Sequence, residues 1–232
     1  MATLWSYLRV PETGPKSRNS SGAAHAPGAT GPESRPGGLI SADFVLITLV
    51  SFLTILSIGG VQNTLVPILG YDRLLLSESQ VGIGLTLTEI IQLVLTPFSG
   101  KLSDHLWRKA LIVPSGLITA LAIAMFTQSH SYLLFCLSAL ALGAGRGLAG
   151  PVPTAYVADI AQREKYESTL SVYRAVSDLG WVLGPVICGY LFDTAGIDLP
   201  FYLTGTVLFL GVTAFGLEAR ETVSRKRLGR GL

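Results

Sequence analysis

Glu89 and Arg146 are the two residues of this chain whose chemistry fits their surroundings least. Glu89 stands in "LTLTEIIQLVL" and Arg146 in "LGAGRGLAG", each near the middle of a long apolar run. An ionised group in hydrocarbon costs roughly 2.5–3.5 kcal/mol on insertion scales, so its presence there points to function or to a partner. The two runs would start on opposite sides of a membrane, which sets both residues at similar depth. A carboxylate and a guanidinium meeting there would reduce each other's cost. Such a pair would also respond to a proton or to an anionic solute. A structural ion pair, or an arginine that snorkels toward water, accounts for the same two residues. Gln62, Asn63 and Gln92 are further polar residues in the first two runs. They are candidates for lining the same cavity, and hydrogen bonding between helices explains them as well.

The elements that must position these side chains are six apolar runs, at about 44–66, 80–99, 110–128, 132–158, 169–191 and 199–217. About 20 helical residues at 1.5 Å rise cross the hydrocarbon core of a bilayer. Backbone groups inside a bilayer have no water to bond, so runs of this length are read as helices. Pro67, Pro97, Pro114, Pro151, Pro153 and Pro185 fall in or beside them, and proline is tolerated in membrane helices. The composition agrees: 49% of the 232 residues are hydrophobic and 14% charged, against roughly 25% charged in soluble domains. The expected fold is an all-α membrane protein with a six-helix transmembrane bundle over residues 43–218. Residues 1–42, rich in Pro, Gly, Ser and Ala, are expected to be a disordered segment, and residues 219–232 a basic tail.

Lys and Arg orient the bundle. With the N-terminus in the cytoplasm, 14 of the 17 basic residues fall on the cytoplasmic side. Only Arg73 falls opposite, and Arg146 and Arg174 lie within spans. This positive-inside bias predicts that both termini are cytoplasmic. The turn "SGKLSDHLWRKAL" (Ser99 to Leu111) then becomes the cytoplasmic loop between the second and third spans.

The pattern of that loop, Gly100-x-Leu102-x-Asp104-x-x-x-Arg108-Lys109, resembles the signature G-x-L-[AS]-D-R-x-G-R-[RK] of the major facilitator superfamily. His105 and Trp107 depart from it. A second stretch, Gly180-x-x-x-Gly184-Pro185-x-x-x-Gly189, resembles the G-x-x-x-G-P-x-x-[GA]-G pattern of the same superfamily. Its glycines are small residues at the spacing that lets helices approach closely, and its proline permits a bend. A third stretch, "GPVPTAYVADIAQREKYESTLSVYRAVSDLG", is similar to the segment where a helix of that superfamily leaves the membrane, with Tyr156 and Asp159 at the exit. The resemblance implies one half of a two-bundle secondary transporter, built as a three-plus-three inverted repeat, that moves a small solute by alternating access. It implies a conformational latch at Gly100, Asp104, Arg108 and Lys109, and a helix-packing motif at Gly180, Gly184, Pro185 and Gly189. Glu89, Arg146, Gln62, Asn63 and Gln92 are the candidates for substrate or proton coupling. The segment "LWSYLRVPETGPKS" resembles the exit of a sixth helix, which favours a C-terminal half.

The expected partners are the lipid bilayer, a small-molecule substrate, and a second six-helix half or a second copy. No nucleic acid, metal or cofactor is expected: Cys136 and Cys188 have no metal-ligand spacing, and no G-x-x-x-x-G-K-[ST] occurs. His25, His105 and His130 are scattered, and neither H-E-x-x-H nor G-x-S-x-G occurs, so an enzyme is not expected. The rival reading is a non-transporting membrane protein, such as a truncated half or an assembly partner.

Overall fold

The computed structural model describes residues 41–105 and 107–219. The expected disordered segment and basic tail lie almost wholly outside these residues, as do the side chains of Asp104, His105 and Arg163. Among the described residues there are six long helices: α1 (Ala42–Arg73), α2 (Glu78–His105), α3 (Arg108–Thr127), α4 (Tyr132–Ile160), α5 (Tyr166–Ala195) and α6 (Asp198–Glu218). All six are long and apolar enough to cross a membrane. Among the described residues there is no strand.

Helix starts follow local chemistry. Ser41 caps α1 by accepting from the Phe44 N–H at 3.2 Å, and Ser131 caps α4 by accepting from the Leu134 N–H at 3.3 Å. Each hydroxyl satisfies one backbone donor that the first helical turn leaves free. At the far end of the bundle Arg73 pairs with Asp198 at 2.6 Å, and Gln128 donates to the Tyr202 hydroxyl at 2.8 Å. These bonds tie the end of α1, and separately the end of α3, to the start of α6.

Two features depart from six uninterrupted α-helices. In α1, residues Ile58–Leu65 and Leu69–Arg73 wind as wide π turns, with i→i+5 bonds such as Val66 N–H to the Val61 carbonyl. Pro67 contributes to this local geometry: it has no N–H to bond the carbonyl four residues back. In α4 the helix breaks between Ala149 and Val152. Gly150 there has φ +39°, and a Cβ on it would lie 2.5 Å from Ser99 Oγ of α2. Both the backbone angle and the close neighbour require glycine. Gly150→Ala is therefore expected to lower stability by about 1–3 kcal/mol. Gly82→Ala, where a Cβ meets nothing within 4 Å, is expected to be neutral or slightly stabilising. Thermal unfolding in detergent compares the two.

The heaviest packing pairs α2 with α4, α3 with α4 and α6, and α5 with α1. Aromatic side chains lock two levels. Phe126 of α3 meets Phe135 of α4 edge-on at 5.6 Å and stacks on Phe201 of α6 at 6.2 Å. Tyr156 of α4 meets Phe215 of α6 edge-on at 5.3 Å. Lipid tails are as apolar as these rings, so the stabilisation comes from close packing and ring geometry rather than from expelled water.

Candidate functional site

The site begins with Gln62, which the π turns of α1 place on the buried side while its neighbour Asn63 stays exposed. Glu89 lies in the middle of α2. Arg146 lies in the last turn of the first part of α4, just before the Gly150 break. The three side chains meet. Arg146 Nη1 donates to Gln62 Oε1 and lies 3.3 Å from Glu89 Oε1. Gln62 Nε2 donates to the same Glu89 oxygen at 2.8 Å. The amide thus bridges the two charges, its oxygen toward the cation and its nitrogen toward the anion. This orientation satisfies both ends of the amide dipole.

The pair is asymmetric in exposure. The Arg146 side chain is 10% exposed and the Glu89 side chain 55%. A fixed positive charge lies inside the bundle, and its counter-charge sits at the surface. Gln92 is one turn along α2 from Glu89, with its Cα beside Gly147 of α4. Gln92 Oε1 and Arg146 Nε are buried without a hydrogen-bond partner among the described residues. Of the five candidates, four therefore cluster. Asn63 stands apart on the exposed face.

The loop between α2 and α3 holds a second polar centre. Arg108 Nε donates to Asp159 Oδ2 of α4 at 2.7 Å, and its Nη1 donates to Ser103 Oγ of α2 at 3.2 Å. Lys109 Nζ donates to the Ala219 carbonyl at 2.8 Å, at the end of α6. Four helices are thus tied at one end of the bundle. Gly100 is not tightly enclosed: a Cβ there would meet only Pro151 Cγ, at 4.0 Å. Sequence reasoning placed Asp159 at the helix exit without naming its partner. Ser103 and the Gly150 break were missed, although the Gly150-Pro151 dipeptide is a local signal for a break.

The glycine-rich stretch of α5 faces α1. A Cβ on Gly180 would lie 2.5 Å from the Phe52 carbonyl oxygen, and one on Gly184 would lie 2.5 Å from that of Leu56. Gly59 and Gly60 answer from α1, against Trp181 and Gly184. Gly189 does not belong to this contact: a Cβ there would meet nothing within 4 Å.

Residues 45–231 match the family model described as Major Facilitator Superfamily. The chain belongs to this superfamily. It is similar to the quinolone resistance protein NorA of Staphylococcus aureus (strain Mu50 / ATCC 700699), at 30% identity over 164 residues, covering 71% of this chain and 41% of that protein. It is also similar to multidrug resistance protein 2 of Bacillus subtilis (strain 168), at 25% identity over 183 residues, covering 78% of this chain and 44% of the relative. A crystal structure of a peptide transporter POT, an E310Q mutant with alafosfalin, shares its fold with a TM-score of 0.64 at 20% identity. That match covers 74% of this chain and 37% of the transporter. The chain thus spans less than half the length of these relatives. As a superfamily member with six apolar helices, it is a multi-pass membrane protein.

Proposed function

We propose that this chain acts as one six-helix half of a secondary transporter that moves a small solute by alternating access. Drug efflux is the favoured activity, because the two relatives similar in sequence, NorA and multidrug resistance protein 2, are resistance proteins. The observation that carries the reading is Glu89, an exposed carboxylate in the middle of a membrane helix, held by Arg146 and Gln62. In hydrocarbon an exposed charge is costly. Glu89 on α2 and the exposed Asp178 on α5 therefore call for a covering surface, which a second six-helix half or a second copy would supply. The cavity between the two bundles would then receive Glu89, Arg146, Gln62, Asn63 and Gln92 as substrate- or proton-coupling groups.

The packing supports a three-plus-three repeat. If α1, α2 and α3 correspond to α4, α5 and α6, the α2–α4 contact maps onto the α5–α1 contact. Both are lined by glycine from the corresponding helices: Gly143 and Gly147 on α4 against α2, Gly59 and Gly60 on α1 against α5. The basic loop and tail favour a cytoplasmic location for both termini, in a plasma membrane. We read the bundle as a C-terminal half. Gly100, Asp104, Arg108 and Lys109 would form the cytoplasmic latch. The Arg108–Asp159 and Lys109–Ala219 bonds are links that switching would break or remake.

The test has two parts. The purified chain is weighed in mild detergent, alone and with candidate partner halves, and the resulting complex is reconstituted for flux of a fluorescent quinolone. The expected result is a defined dimer or two-half complex with gradient-driven flux. Asp104→Asn is expected to insert normally and to slow that flux at least about tenfold, an effect of about 1.4 kcal/mol on the rate-limiting barrier. Unchanged flux in Asp104→Asn would remove the latch role. A persistent monomer with no flux would favour the non-transporting reading.

A further inference from the structure

An open groove of about 550 Å³ runs along the outside of the bundle, between the start of α3 and the end of α6. Val113, Pro114 and Leu117 of α3 line it opposite Gly216 and Leu217 of α6. Gly216 brings no side chain to it, and the exposed Ala110 brings only a methyl. Leu217 is 81% exposed, an apolar side chain that needs hydrocarbon beside it. Thr213 is the one hydroxyl among the described lining residues, and its proton goes to the Phe209 carbonyl of its own helix at 2.7 Å. Below its mouth, the groove thus asks for no polar partner.

Its one charged lining residue is Lys109, at the end beside the α2–α3 loop. Lys109 Nζ donates to the Ala219 carbonyl at 2.8 Å. An ammonium carries three protons, and this bond uses one of them. Among the described residues no carboxylate pairs with Lys109. Its neighbour Arg108 differs, since Asp159 answers that charge at 2.7 Å. Lys109 is therefore held in place by a neutral acceptor, with its charge left for an anion. Trp107, two residues earlier, is exposed. Tryptophan favours the membrane–water interface, which puts the Lys109 end of the groove at headgroup depth. From Lys109 to Leu117 the helix rises about 12 Å, close to half of the roughly 30 Å hydrocarbon core. The groove offers a cation at headgroup depth and an apolar track about one leaflet long.

We propose that this groove binds an anionic glycerophospholipid, its phosphate on Lys109 Nζ and one acyl chain along Val113, Pro114 and Leu117. A zwitterionic headgroup brings a cation as well as a phosphate, and no acidic residue among the described lining residues receives that cation. No residue of α2 or α5 lines the groove. It is separate from the surfaces that carry Glu89 and Asp178, and its occupancy does not depend on transport.

The test is native mass spectrometry of the purified full chain in mild detergent, titrated with dioleoylphosphatidylglycerol or dioleoylphosphatidylcholine. One phosphatidylglycerol per chain is expected to bind at least about tenfold tighter than phosphatidylcholine, the equivalent of about 1.4 kcal/mol. Lys109→Gln is expected to remove that preference. Lys101→Gln, an exposed cation outside the groove, is expected to leave it unchanged. Ala110→Phe, at an exposed position, is expected to obstruct the groove and weaken both lipids, and it keeps the test open should Lys109→Gln fail to fold. Equal affinity for the two lipids in the unaltered chain would overturn the site. Equal losses in Lys101→Gln and Lys109→Gln would also overturn it, leaving only a general attraction of the basic end for anionic lipid. A dimer that retains no lipid and that Ala110→Phe dissociates would give the groove to a second copy instead. Because no flux is measured, a failure here is separable from a failure of the transport reading.

Discussion

Glu89→Leu is expected to lower the unfolding free energy of the bundle by about 3 kcal/mol. Removing one partner of a buried ion pair costs about 3–5 kcal/mol, because the remaining charge stays buried without compensation. Here the remaining charge is Arg146, whose side chain is 10% exposed, while Glu89 itself is 55% exposed. Arg146 keeps its bond to the Gln62 oxygen, which selects the low end of the range. The substitution also strips Gln62 Nε2 of its 2.8 Å acceptor. Arg146→Met is expected to cost less, because the Glu89 carboxylate it leaves behind keeps the Gln62 Nε2 donor at 2.8 Å. The double variant Glu89→Leu with Arg146→Met is expected to recover stability relative to Glu89→Leu alone. A coupling of at least about 1 kcal/mol should appear in the cycle. Unfolding in mixed micelles at fixed detergent composition measures all four proteins. Strict additivity would dissolve the pair as an energetic unit.

Gly184→Ala should destabilise by about 2–3 kcal/mol, whereas Gly189→Ala should be neutral or stabilising by up to about 1 kcal/mol. Alanine is the better helix former by roughly that amount, so where space allows the change helps. At Gly189 nothing stands within 4 Å of the new carbon. At Gly184 the new carbon would lie 2.5 Å from the Leu56 carbonyl oxygen and 2.7 Å from the Gly60 nitrogen. Both obstacles are backbone, which cannot rotate aside as a side chain can. The two helices must separate, and overpacking of this kind costs about 1–3 kcal/mol. The same unfolding measurement gives opposite signs for the two variants. Equal effects would mean that α1 and α5 do not meet along this face.

The two glycines belong to one sequence pattern and behave differently because of helix geometry. At about 100° per residue, Gly184 lies about 40° from Gly180, and Gly189 lies about 180° from it. Matching the pattern located the helix but not the face. Other parts of the molecule divide in the same way. The six spans were legible because apolar run length is a property of local sequence. Glu89 and Arg146 were legible because a charge in hydrocarbon needs a reason wherever it lies. The bridging role of Gln62 was not, since an amide can bond to almost any polar neighbour. Nor was the Arg108–Asp159 bond, whose partners are 51 residues apart and meet only once α2, α3 and α4 have packed. The π turns of α1 and the break at Gly150 leave hydropathy unchanged and alter only which carbonyl each N–H meets.

The π turns of α1 have a consequence for phase. Each wide turn holds one residue more than an α turn, so it advances every later side chain by about 100° around the axis. The parts of α1 before and after Ile58–Leu65 therefore present different sequence registers to the same neighbours. Before the π turns, Phe52 and Leu56 offer their carbonyls to the glycines of α5; within them, Gln62 reaches across to α2 and α4. One rod thus carries two keyed faces, cut at different angles. A single-residue deletion between Ile58 and Leu65 would bring them into line, as if one key had been turned while the other stayed in its lock.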